Sequence, residues 1–191
     1  MPNHCETDMY IRGSDEDVTA FAKWLEEIEP LNRDICRALL PYPEHFAKMD
    51  EEAAVFSWSS KEDEATRKAA AEAYQAKYGH TKDGYNSGGY EWCHRVWGTK
   101  WGIYGVDFTP HTKRGALLSF QSAWSPPSTE VFQALSEKFP NLTFELEWFE
   151  GGGGFCGGMT FWSEQECEDY ERAHGEPDSQ WSGDYSGSRG G

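Results

Sequence analysis

The 191-residue sequence has few basic residues and no long apolar run, and both shortages exclude functions. Only 17 Lys and Arg residues accompany 33 Asp and Glu residues, which gives a formal net charge of −16. Proteins that coat nucleic acid neutralise phosphates with clustered Lys and Arg, so we expect no direct binding to duplex DNA. No apolar segment has the length of a membrane span, and the first ten residues lack the pattern of a signal peptide. We therefore expect a cytoplasmic protein with no membrane partner.

Residues that carry catalytic or metal chemistry are also sparse. The five cysteines are irregularly spaced and form no C-x-x-C pair, so we expect reduced thiols and no metal site. Six scattered histidines give no nucleophile and base at a useful spacing, and we expect no enzymatic activity. The glycines of residues 151–154 lack the Lys and Ser/Thr of a phosphate-binding loop. The sequence therefore predicts no cofactor.

Aromatic residues are abundant, and they permit a substantial core. The chain holds 9 Trp, 9 Tyr and 11 Phe residues, each of which can bury a large area. We predict one domain over residues 1–162, with an insertion at about residues 41–91. Residues 163–191 are acidic and rich in Gly and Ser, and we expect that segment to be partly disordered, especially beyond residue 174.

The order of apolar patterns predicts the fold class. Period-two alternation predicts strands at about residues 4–12, 103–108, 117–124, 143–150 and 155–162. Helical spacing with capping residues predicts helices before Pro30, over residues 61–78 and before Pro140. This order is typical of an α+β, ferredoxin-like split β-α-β antiparallel sheet, here with a helical insertion and an extra C-terminal strand.

Acidic residues concentrate after residue 140. Residues 141–191 contain 11 acidic and 2 basic residues, a net charge of −9. In the strand at 143–150 we expect Phe144, Leu146 and Trp148 to point inward, and Glu145, Glu147 and Glu150 to point mostly outward. Such a surface is either a solvated face or a patch that binds a basic groove on another protein. The candidate partner-binding residues are Glu145, Glu147, Glu150, Glu164, Glu166, Glu168 and Asp169.

A second candidate site combines tryptophans with a lysine. Lys100 lies between two tryptophans in the segment W-G-T-K-W, where a cation can lie against an indole face. The same tryptophans could instead fill the core between sheet and helices. The candidate ligand-binding residues are Trp92, Trp97, Lys100, Trp101 and Trp124.

Four sequence pieces together resemble a known family. They are the first five residues followed by Ile11-Arg12-Gly13, the piece Leu40-Pro41-Tyr42-Pro43, the piece W-G-T-K-W at 97–101, and S-A-W-S-P-P at 122–127. In this order they resemble the YubB-type ferredoxin-like family of small phage and plasmid proteins, over roughly residues 1–160. The resemblance implies the same fold and a mobile-element origin, and it assigns no activity. Val96 and Gly102 depart from the residues common in that family, an Asn and an acid.

These observations lead to two hypotheses of different classes. The first is a non-enzymatic phage or plasmid accessory protein that binds and inhibits a host protein through an acidic and aromatic surface. Its partner would carry a basic groove, as in a nucleic-acid-handling defence complex, so the role would be anti-CRISPR-like or another form of counter-defence. The alternative is a binder of a small anionic ligand or of single-stranded nucleic acid that uses the Trp97-Lys100-Trp101 cluster.

Overall fold

A five-stranded antiparallel sheet forms the centre of the structure, a computed structural model that describes residues 3–57, 59–79, 89–111 and 115–174. The strand order is β2-β3-β1-β4-β5, so β1 lies between β3 and β4. The order confirms the predicted ferredoxin-like α+β fold with its additional C-terminal strand. The strands are β1 His4–Arg12, β2 Tyr104–His111, β3 Gly115–Ala123, β4 Thr143–Glu150 and β5 Phe155–Phe161.

Seven α-helices accompany the sheet in the described part of the chain. Two of them, α1 and α6, follow β1 and β3 as the split β-α-β arrangement requires. Three lie wholly or partly in the predicted insertion, and α7 follows β5. The helices are α1 Asp15–Glu27, α2 Ile35–Leu39, α3 Glu44–Ala54, α4 Glu64–Tyr78, α5 Tyr90–Val96, α6 Thr129–Lys138 and α7 Glu164–His174. The expected disorder of residues 175–191 lies outside the described residues.

Local sequence explains where the two clearest helices begin. Ser14 precedes α1, and its hydroxyl oxygen accepts a hydrogen bond from the Asp17 backbone N–H at 3.1 Å. Asp63 caps α4 in the same way, accepting from the Thr66 N–H at 2.9 Å, and Gly79 follows the last helical residue. The predictions of these two helices are confirmed.

Two helices in the insertion escaped prediction. Helix α3 starts directly after Pro43, which serves as its N-cap residue although the piece Pro41-Tyr42-Pro43 reads as a stop signal. Helix α5 has only seven residues and follows a glycine-rich segment that predicts a loop. Such a short helix depends on tertiary packing, and Cys93 and Trp97 are buried in the core at its end.

The core fills the space between the helices and one face of the sheet. Phe21 of α1 lies at its centre, with its ring centroid 5.3–6.1 Å from those of Trp24, Phe108, Phe139 and Phe144. Offset and edge-to-face contacts of this kind stabilise aromatic pairs beyond their buried area. No helix among the described residues is long and apolar enough to cross a membrane.

Two of the distinctive sequence pieces pack against each other, in a contact that we call the Thr99 junction. The Thr99 hydroxyl donates to the Ala123 carbonyl at 2.9 Å and accepts from the Ala123 N–H at 3.1 Å. The Ser128 N–H donates to the Trp97 carbonyl at 2.8 Å. The Ser125 hydroxyl donates to the Gly98 carbonyl at 2.5 Å. These bonds hold the end of α5 against the segment between β3 and α6.

Replacing Gly98 with Ala should destabilise the protein strongly. Gly98 has φ +73°, and an added Cβ would lie 2.8 Å from the Ser128 backbone nitrogen. Gly79 serves as the control, because its φ is +86° but, among the described residues other than its chain neighbours, no atom lies within 4 Å of an added Cβ. We expect G79A to lower the free energy of unfolding by about 1–3 kcal/mol through backbone strain. G98A should cost about 1–3 kcal/mol more, because of the clash.

Urea unfolding of both variants measures the difference. Equal losses in G98A and G79A would show that the junction tolerates the extra methyl group.

Candidate functional site

The sheet has one face covered by helices and one open face. Along β1, Cys5, Thr7, Met9 and Ile11 are buried, whereas the residues between them are exposed. This alternation places the second set on the side away from the core. The β1 residues of the open face are Glu6, Asp8, Tyr10 and Arg12.

Three carboxylates lie in one row across the open face. Asp8 of β1 pairs with Ser119 of β3 on one side and with Glu147 of β4 on the other. Asp107 of β2 pairs with the other side of Ser119. Neighbouring strands are about 4.8 Å apart, so these acids are close together. The Ser119 hydroxyl donates to the Asp8 carboxylate at 2.6 Å and fixes its position.

Two further acids extend this row into a patch. Glu6 lies two residues from Asp8 on β1, and Glu145 lies two residues from Glu147 on β4. Arg12 is the cation beside them, with its Nη2 3.6 Å from a carboxylate oxygen of Glu145. We call the patch the acidic face; its members are Glu6, Asp8, Asp107, Glu145 and Glu147.

A shallow groove of about 450 Å³ lies over the part of the acidic face formed by Glu6, Asp8 and Glu147. Gly158 lies opposite Glu147 and contributes no side chain, which keeps this part of the sheet surface low. Like charges directly opposite each other destabilise a sheet, as Asp8 and Glu147 do here. Lining residues include Glu6, Asp8, Ser119, Gln121, Glu147 and Cys156.

The acidic helix α7 starts beside this patch. The Thr143 hydroxyl donates to the Glu166 carboxylate and accepts from the Ser163 N–H at 3.0 Å. Thr143 lies two residues before Glu145 on the same side of β4, so Glu166 borders the acidic face. The predicted acids of this helix, Glu164, Glu166, Glu168 and Asp169, are all exposed. Strand β4 and α7 thus place most of the predicted partner-binding residues on neighbouring surfaces.

The predicted outward position of Glu150 is wrong. Only 2% of Glu150 is exposed, and it pairs with the buried Cys5. Glu150 lies six positions after the inward-facing Phe144, an even spacing that turns it toward the same, covered side. Its carboxylate accepts the N–H of Gly152 at 2.9 Å and the N–H of Gly153. Glu150 therefore stabilises the β4–β5 turn and does not contribute to the surface.

Three members of the acidic face were missed by sequence reasoning. Glu6 and Asp8 alternate with apolar positions in the first strand, which is the signal that could have identified them. Asp107 alternates in the same way in β2. The charge excess after residue 140 predicted an acidic surface on β4 and α7 instead. Only the strand order β2-β3-β1-β4 shows that these acids belong to one surface.

The predicted tryptophan cluster divides into a buried part and a surface part. Trp97 is fully buried, and its Nε1 donates to the Leu40 carbonyl at 2.9 Å. Trp92 packs edge-on against it, with the ring centroids 5.1 Å apart. Of the two interpretations, core packing is therefore confirmed for Trp97 and the pocket interpretation is wrong for it, while Trp92 packs against the core. Trp101 and Trp124 are each 36% exposed.

Lys100 is buried among aromatic rings. Only 8% of the residue is exposed, and its Nζ lies 5.2 Å from the ring centroids of Trp101 and Trp124. The Tyr90 centroid is 5.6 Å from the same atom. Ring faces attract a cation, and the attraction strengthens when the cation is desolvated. We call these four residues the Lys100 cage.

A buried carboxylate, that of Asp34, explains why position 102 holds a glycine. Asp34 is 4% exposed and accepts the N–H groups of Cys36 and Ile103, both at 3.1 Å, and that of Arg37 at 3.4 Å. Arg37 Nε lies 3.2 Å from its other oxygen. A Cβ at Gly102 would overlap the Asp34 carboxylate, so the acid common at this position in the YubB-type family cannot fit. Burial raises the pKa of Asp34, although the three N–H groups and the Arg37 charge oppose that shift.

The buried thiols are poor nucleophiles. Burial raises the pKa of Cys93 to about 11, and the negative charge of Asp50 adds to this effect. Burial also raises the pKa of Cys5 to about 12. Both thiols are therefore protonated at neutral pH. Within the described ranges, no group of three or more His, Cys, Asp or Glu side chains could hold a metal ion.

A comparison with family models agrees with the fold. Residues 103–183, less than half of the chain, match the family model described as a ferredoxin-like domain in Api92-like protein. The crystal structure of protein api92 from Yersinia pseudotuberculosis aligns with 13% identity and a TM-score of 0.48. That alignment covers 84% of this chain and 94% of the api92 chain. A comparison with curated proteins gave no significant match. The YubB-type resemblance and its mobile-element origin stay predictions.

Asp34 should give the protein a distinctive pH dependence. A raised pKa means that the folded protein binds the Asp34 proton more tightly than the unfolded chain does. Its contribution to stability is full below the unfolded pKa, about 4, and is lost as pH rises through the folded pKa. The free energy of unfolding of the wild type, minus that of D34N, should therefore decrease from pH 4 upward.

Asp63 offers a control with the opposite sign. Hydrogen bonds from Thr66 lower the pKa of this exposed cap residue, so its contribution is lost as pH falls. Urea unfolding of both Asp→Asn variants from pH 3 to pH 7 makes the comparison. The same sign of slope in both would contradict the assignment.

Proposed function

We propose that the protein binds a basic surface of another protein through its acidic face and thereby inhibits that protein. The observation that supports this proposal is the row of three carboxylates at Asp107, Asp8 and Glu147, flanked by Glu6 and Glu145. Complementary charge raises the rate of association and disfavours wrong partners. The like-charged neighbours lower stability in isolation, and a cationic partner would relieve their repulsion.

The surroundings of the acidic face suit a protein partner. Tyr10 is an exposed aromatic on the open face, and Phe149 is half-buried beside Glu6. Aromatic side chains are enriched in protein interfaces. Gln121, which pairs with the other side of Glu6, adds an amide that can donate and accept hydrogen bonds. The surface thus offers charge, apolar contact and hydrogen bonds together.

The proposed partner is a protein that handles nucleic acid. Its groove would carry rows of Lys and Arg that ordinarily contact phosphates. The acidic face would bind the same side chains, and nucleic acid would then be excluded from the groove. An inhibitor of this kind suits a phage or plasmid that must escape a host defence. The sequence resemblance to the YubB-type family supports that origin.

Charge reversal on the acidic face should weaken binding without destabilising the fold. In the variant E6K/E147K, the substitution at position 147 places a cation opposite Asp8, so a repulsive pair becomes attractive. We expect the association rate with the partner to fall about tenfold at low salt and to become less sensitive to salt. The melting temperature should not decrease.

The variant E26K/E27K is the matched control. Both glutamates are exposed on α1, in the helical layer that covers the other face of the sheet, and the change in net charge is identical. The partner is first captured from host extract with the tagged wild type, then purified. Surface plasmon resonance at about 50 and about 200 mM salt measures the rates. Equal effects of the two variants would reject the acidic face as the interface.

A third variant tests how far the interface extends. E164K/E168K changes exposed residues of α7, whose first turn borders the acidic face at Thr143. If α7 belongs to the interface, we expect slower association than with E26K/E27K. An association rate equal to that of the control would confine the interface to the sheet.

A further inference from the structure

The Lys100 cage forms a second surface with chemistry opposite to that of the acidic face. It lies where the Thr99 junction joins the end of α5 to the segment after β3. Residues 90–101 contain one acid, Glu91, against Arg95 and Lys100. In a chain with a net charge of −16, this segment is locally positive. An anion that the acidic face would repel can therefore approach here.

The backbone of Trp124 is strained, which indicates that its position matters. Its φ is +69°, a value that bulky residues rarely adopt and that costs about 1–3 kcal/mol. Surrounding hydrogen bonds hold it there. The Trp124 N–H donates to the Asn3 carbonyl at 3.0 Å, and the Ser122 hydroxyl donates to the Ser125 carbonyl at 2.6 Å. The fold thus maintains strain while leaving the indole 36% exposed beside Lys100.

His94 contributes an unsatisfied polar atom to the same place. Its ring stacks on the Trp124 indole, with centroids 5.7 Å apart and an angle of 22° between the planes. Its Nε2 is buried and has no hydrogen-bond partner in the described structure. A buried polar atom without a partner costs about 1–3 kcal/mol, so the fold maintains a second unfavourable feature beside the Trp124 indole.

We propose that the Lys100 cage binds a mononucleotide. The nucleobase stacks on the exposed indole of Trp101, and the phosphate accepts a hydrogen bond from Lys100 Nζ. Stacking requires a planar ligand, and the cation requires an anionic group on the same molecule. A nucleoside monophosphate combines both features. The net charge of −16 disfavours binding of a long polyanion.

Isothermal titration calorimetry with adenosine 5′-monophosphate tests the proposal directly. Adenosine lacks the phosphate and ribose 5-phosphate lacks the base, so each probe removes one of the two contacts. We expect the monophosphate to bind at least tenfold more tightly than either fragment, since stacking one base contributes about 1–3 kcal/mol. No detectable binding of the monophosphate at millimolar concentration would overturn the proposal.

Two variants and one control locate the site. K100M keeps the apolar stem but removes the charge, and we expect at least tenfold weaker binding of the monophosphate. K138M is the matched control, because Lys138 Nζ lies 5.5 Å from the Trp24 ring at an exposed position away from the cage. W101L removes the stacking surface, and it tests the site independently if K100M fails to fold. Wild-type affinity in W101L or in a folded K100M would reject the site.

An oligonucleotide separates a mononucleotide site from a strand-binding surface. If a 5′-phosphorylated oligonucleotide binds more tightly than the monophosphate, the mononucleotide assignment is wrong. This site and the acidic face share no residue, so failure of one proposal leaves the other standing.

Discussion

The antiparallel pairing of β1 with β3 and β4 is the constraint on which both surfaces depend. It brings Asp8 between Ser119 and Glu147, and so assembles carboxylates from strands that are far apart in sequence. The same register pairs His4 with Ala123, beside the hydrogen bond from Trp124 to Asn3. Because a shift of one residue would turn every β1 side chain to the opposite face, the buried Met9 and Ile11 fix the acids on the outside. Core packing therefore determines where the charge is displayed.

Alternation and capping made much of the fold predictable, since they act over a few residues. The strand at 143–150 and the helices that begin after Ser14 and Asp63 follow from such local rules. The prediction for Glu150 was wrong because it departed from strict alternation, which places Glu150 on the same face as Phe144. On that face the Glu150 carboxylate accepts N–H groups of the β4–β5 turn. Helix α5 was not predicted because its stability comes from contacts with residues distant in sequence. Predicting the acidic face requires the order of the strands in the sheet, which no local sequence pattern contains. The resemblance to a family did not identify these acids either.

The acidic face and the Lys100 cage carry charges of opposite sign. On the open face, carboxylates lie side by side and Arg12 neutralises part of their charge. At the Lys100 cage, aromatic rings stabilise a cation where solvent has been excluded. Each arrangement departs from what stability alone would select, in one case through repulsion and in the other through the strained backbone of Trp124. Departures of this kind concentrate at functional sites in natural proteins.

The central position of β1 also limits how the chain can be divided. The region that matches the Api92-like ferredoxin-like domain, residues 103–183, contains β2 to β5 but lacks β1. Without β1, β3 has no link to β4, and the sheet separates into the hairpins β2–β3 and β4–β5. Two-stranded hairpins are marginally stable in water. The matched region is thus a unit of sequence similarity that takes its middle strand from outside, and it is not a unit of folding.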